Sequence, residues 1–69
     1  MPIIYAAYKR ISDKNLIELS SGEDLILVRD LARNSKLVKN HDEIIVTKSS
    51  QTKLAVLLEK FFVHRKEEE

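Results

Sequence analysis

Apolar positions fall into a few groups along this chain, separated by short polar breaks. The longest group lies between Ser49 and Arg65, SSQTKLAVLLEKFFVHR. At about 100° per residue, Leu54, Leu57, Leu58 and Phe61 share one stripe and Phe62 lies at its edge. That is the i, i+3, i+4, i+7 spacing of a core-facing helix. Ser49 or Ser50 offers a hydroxyl for the first turn. Lys60, His64, Arg65 and Lys66 set cations near the negative end of the helix dipole. The spacing predicts a C-terminal amphipathic helix. Val56 and Val63 fall on its opposite face, beside Glu59 and Lys60, and eight of the ten residues from Leu54 to Val63 are apolar. A helix so apolar is often covered on both sides, which makes Val56 and Val63 a candidate oligomer interface. As two scattered surface valines they would need no partner.

From the other end, PIIYAAYKRI over Pro2 to Ile11 predicts a strand, with Pro2 at the first position, where a strand tolerates it. Both alternating sets, Ile3-Tyr5-Ala7 and Ile4-Ala6-Tyr8, are apolar, as expected of a central strand. Ser12-Asp13-Lys14-Asn15 reads as a turn and Leu16 to Leu19 as a second strand, closing an antiparallel hairpin. Segment 22–40 fits two elements. Leu25 to Val28 is short enough for a strand. A helix from Ser21, with Asp24 three residues on, places Leu25, Val28, Leu31 and Ala32 on one face, with acids leading and bases trailing. The spacing favours the helix. Breakers at Asn34-Ser35 and Asn40-His41-Asp42 bound its end, and the β-branched run in Glu43 to Thr47 predicts a third strand. The expected fold is α+β in the order β-β-α-β-α, one sheet with helices packed on it.

Length sharpens this picture. Sixty-nine residues make one domain, expected over residues 1–66, with Glu67 to Glu69 as a frayed acidic tail. A domain this small buries only about 60 % of its unfolded surface. Its usual staples are disulfides, metals or self-association. Cysteine is absent, which removes disulfides and thiolate zinc sites and fits a reducing cytoplasm. His41 and His64 are too few for a metal cage, and His41-Asp42-Glu43 reads as loop polarity before a strand. Self-association is left as the staple, so a homodimer is expected. No signal-peptide pattern and no membrane-length apolar run is present in the sequence.

The net charge of +1 becomes +4 without the tail, from twelve basic and eight acidic residues. On a helix over 24–38, Arg29, Arg33 and Lys36 recur at i, i+4 and i+7, and Lys39 extends the patch. Such a stripe would meet nucleic-acid phosphates; as a solvated helix face it needs no ligand. No phosphate-binding glycine loop exists, because Gly22 is the only glycine. No catalytic residue, metal, cofactor or small-molecule substrate is expected.

Two openings resemble known families. MPII is similar to the start of small tautomerases of the 4-oxalocrotonate type, which use a free N-terminal proline as general base. The resemblance implies that role for Pro2 once Met1 is removed. That family continues with one long helix, which Leu16 to Gly22 interrupts here. MPIIYAA followed by LIELSS resembles the opening hairpin of longin domains, interaction platforms of membrane traffic; the chain is shorter than their five-stranded fold. The sequence thus predicts a cytoplasmic, non-enzymatic interaction or regulatory module acting as a homodimer. A nucleic-acid-binding regulator is the alternative, and a proline-dependent tautomerase a distant third.

Overall fold

The computed structural model describes residues 3–50 and 53–64. Strand β1 (Ile3–Ser12) turns back into β2 (Asn15–Gly22). Helix α1 (Leu25–Arg33) follows, and β3 (Glu43–Ser50) and β4 (Lys53–Phe62) complete the fold. All neighbours are antiparallel, in the order β2-β1-β3-β4, and α1 packs on one face. The α+β class holds. The order is β-β-α-β-β, not β-β-α-β-α, because the segment expected as a C-terminal helix is strand β4. Pro2 and the 67–69 tail lie outside the described residues.

The strand wins at 53–62 for a reason that lies elsewhere in the chain. Ile44, Ile45 and Val46 of β3 are all buried, so β3 is covered on both faces. A strand in that position needs a hydrogen-bonded neighbour at each edge, since buried backbone groups must be paired. β1 pairs with one edge and β4 with the other. A helix cannot satisfy that second edge. Ser49 and Ser50, taken as helix caps, are the end of β3.

Directly opposed residues of antiparallel strands share a face. Ala7 lies opposite Val46, Lys9 opposite Ile44, and Ile44 opposite Phe61, which defines the side facing the helix. The core on that side is Ala7, Val28, Ala32, Val38, Ile44, Val46 and Val63, with Tyr5, Leu19, Leu25 and Phe61 at its margin. Ala7 and Ala32 are both fully buried, and their small side chains let the helix lie close to the sheet.

The hairpin matches expectation at its turn, where Asn15 Nδ2 donates to Ser12 Oγ at 3.0 Å. β2 runs on to Gly22, three residues past the expected end. A register shift between Ala7 and Tyr8 leaves Leu19 as an extra residue of β2, and Leu19 packs at the core margin. Ser20 Oγ next to it donates to the Val28 carbonyl at 2.7 Å and ties β2 to α1.

Segment 25–28 is helical, which resolves the open choice. Its N-cap is Asp24, whose carboxylate accepts from Leu27 N at 3.2 Å. Such a cap contributes roughly 0.5–2 kcal/mol. Ser21, the expected start, sits in β2 opposite Ala6. Asn34 closes the other end, donating from its backbone and its Nδ2 to the Asp30 carbonyl at 3.0 and 2.9 Å. Segment 34–42 is pinned by buried Val38 and by two backbone bonds at the chain end. His41 N donates to Val63 O at 2.7 Å, and Val63 N to Asp42 O at 2.9 Å.

Candidate interaction surface

β4 is an edge strand, with β3 on one side and no described strand on the other. Five of its large apolar side chains are exposed: Leu54, at 90 %, with Val56, Leu57, Leu58 and Phe62. Leu57 and Phe62 lie on the helix-free face, opposite Thr47 and Glu43. Val56 lies on the helix side opposite Lys48, yet stays open because the α1 backbone packs over β1, β2 and β3 and not over β4. Long apolar edge strands are usually guarded by charge, proline, β-bulges or a covering element, since their free N–H and C=O groups invite another strand. A smaller apolar stripe, Leu27 and Leu31, lies on the outer side of α1.

The two valines of the expected interface separate. Val56 is 55 % exposed, whereas Val63 is 1 % exposed and belongs to the core. Once residues 53–62 are a strand, the helical face that joined them does not exist.

The four cations of the expected stripe separate as well. α1 ends at Arg33, so Lys36 and Lys39 lie in the following loop. Arg29 Nε lies 3.0 Å from Glu59 Oε2 of β4. Neither atom is aligned for a hydrogen bond and both are shut off from solvent, so the contact is electrostatic. The Arg33 guanidinium stacks over Phe61, 5.6 Å from the ring centroid. Both arginines reach from the helix to β4 and cover the gap its backbone leaves.

A polar cluster holds the 34–42 loop to the sheet. Lys9 Nζ of β1 donates to the Leu37 carbonyl at 2.6 Å and pairs with Asp42 Oδ2 at 3.2 Å. The same oxygen accepts from Lys39 N at 2.7 Å. The Lys39 amide, with Lys9 beside it, holds the Asp42 carboxyl below its ordinary value of 3.8, against an opposing contribution from burial. Protonating Asp42 is therefore harder in the folded chain than in the unfolded one. The stabilisation is complete above the unfolded value and is lost as pH falls through the folded one. Urea melts below about pH 5 are expected to show a shallower loss of stability for Asp42→Asn than for the parent; parallel curves would refute this role. Across the loop, His41, with a backbone φ of 76°, meets His64 edge to face at 6.1 Å between centroids. On the helix-free side, Arg10 Nε pairs with Glu43 Oε1 at 2.9 Å. The Lys9–Asp42 and Arg10–Glu43 pairs each join residues thirty-three apart, and no local signal in the sequence marks them.

Among the described residues, no group of three or more His, Cys, Asp or Glu could hold a metal ion. Among the same residues, no helix is long and apolar enough to cross a membrane. No protein-family model matches the chain, and neither curated proteins nor solved structures show a match to it.

Proposed function

We propose that this protein is a non-enzymatic, cytoplasmic interaction module that works as a homodimer. The observation that carries the reading is edge strand β4, with five large apolar side chains exposed and no described strand on its outer side. Apolar surface concentrated on one element marks an association site. The core adds to this support. Its seven fully buried members are alanines, valines and one isoleucine, a modest core for a domain that has no cysteine to staple it. The absence of cysteine and a surface bearing both charges suit a reducing compartment. The nucleic-acid alternative draws less support, because Arg29 and Arg33 are turned toward β4 and no helical face carries the four cations together.

Solution mass by light scattering, over a wide concentration range and at low and high salt, tests this directly. The expected species is a dimer of twice the 8.0 kDa chain. It should hold at both salts, because screening weakens charge pairs and not apolar burial. A monomer under all conditions overturns the proposal.

A further inference from the structure

We infer that two copies join through β4, antiparallel about a two-fold axis at Val56, so that two four-stranded sheets merge into one of eight strands. The inference rests on the homodimer reading above and supplies its interface.

The backbone register of β4 against β3 points to this axis. Lys53 lies opposite Ser50, Val56 opposite Lys48, and Glu59 opposite Val46. On each side of Val56, three steps along β4 therefore match two along β3. One irregularity of β4 lies between Leu57 and Glu59 and the other between Lys53 and Val56, so each side of Val56 carries one. Direct opposition about a two-fold requires paired residues to share a face, and the register puts 53, 56 and 59 on one face.

The side-chain types agree with the same axis. Centred on Val56, Ala55 meets Leu57 of the second copy and Leu54 meets Leu58. Apolar residues oppose apolar ones, and small opposes large. Other centres fail. An axis at Leu57 sets Leu54 against Lys60 and Ala55 against Glu59. One at Leu58 sets Leu57 against Glu59 and Val56 against Lys60. Axes at Glu59 or Lys60 put like charges face to face, which is unfavourable in a sheet. A two-fold contact needs one patch complementary to itself, and β4 around Val56 meets that condition.

The other edge is a poorer candidate. β2 carries Glu18, Ser20 and Ser21 and lies against α1. On β4, by contrast, Leu54, Val56, Leu57, Leu58 and Phe62 are all exposed.

The absence of native cysteine makes the test direct. Directly opposed strand residues have Cα atoms roughly 4.5–5.5 Å apart, inside the range a disulfide spans. Val56→Cys should therefore form a covalent dimer on mild oxidation. Leu27→Cys on α1, 54 % exposed against 55 % for Val56, is the matched control. The expected result is cross-linking of Val56→Cys at least about tenfold faster than of Leu27→Cys, because pairing raises the local thiol concentration. A second variant, Val56→Lys, sets two cations against each other at the axis. It should run as a monomer with unchanged circular dichroism, since a lone exposed substitution barely affects the fold. If the parent is a dimer but Val56→Cys links no faster than Leu27→Cys, or Val56→Lys stays dimeric, the β4 pairing is wrong and the homodimer stands. If the parent is a monomer, both fall.

Discussion

Ile44→Ala is expected to remove about 2–5 kcal/mol of stability, the usual range for an isoleucine truncated in a core. A domain of this length holds only about 3–10 kcal/mol in total, so the variant should melt roughly 10–30 °C lower or fail to fold. The position explains the size of the effect. Ile44 is fully buried, lies opposite Lys9 on β1 and Phe61 on β4, and faces the layer formed by Val28, Ala32 and Val38. No neighbour can collapse into the space without moving the helix. The adjacent residue gives a sharper comparison. Ile45 is 7 % exposed but lies on the face without a helix, between Tyr8 and Lys60. Ile45→Ala opens a gap that solvent or these longer side chains can fill, so its loss should be smaller by about 1 kcal/mol or more. Urea denaturation with a shared slope measures both. Equal losses would mean that the helix-free face carries cover comparable to that of the core. A loss under about 1 kcal/mol for Ile44→Ala would contradict its place in the core.

What the sequence made legible was decided by neighbours in the chain. The hairpin follows from Ser12-Asp13-Lys14-Asn15, and the Asn15–Ser12 side-chain bond sits where that composition pointed. Strand β3 follows from Ile44-Ile45-Val46, and α1 from its apolar spacing and acidic start. The end of α1 was bounded only loosely, between Asn34 and Asp42, and its stop at the first of these breakers removes Lys36 from the basic stripe. The last segment was not legible, because eight apolar residues in ten suit a helical and an extended period almost equally. The term that chose between them was the open edge of β3, a partner outside any local window. The same holds for the surface. Whether Val56 or Val63 is exposed, and whether Arg29 faces solvent or Glu59, depends on where β4 lies relative to the helix.

Val63 and Val56 therefore give the sharpest separation between the two arrangements of residues 53–63. On a helix they share a face, and a charge placed at either should have the same small effect on folding. In the β-sheet arrangement Val63 is sealed in the core beyond the end of β4, and both of its backbone groups bond to the 41–42 loop. An uncompensated carboxylate there is expected to cost about 3–5 kcal/mol, the scale of a buried charge without a partner. That approaches the stability of the whole domain, so Val63→Asp should be largely unfolded, with the far-ultraviolet signal of the strands lost. Val56→Asp places the same charge at an exposed site. In solutions dilute enough to be monomeric, its midpoint should lie within about 0.5 kcal/mol of the parent. Partial rescue of Val63→Asp at low pH, where the carboxyl is protonated, would confirm that charge burial and not shape is the cause. A folded Val63→Asp as stable as Val56→Asp would return both valines to the surface and remove Val63 from the core that joins α1, β3 and the end of β4.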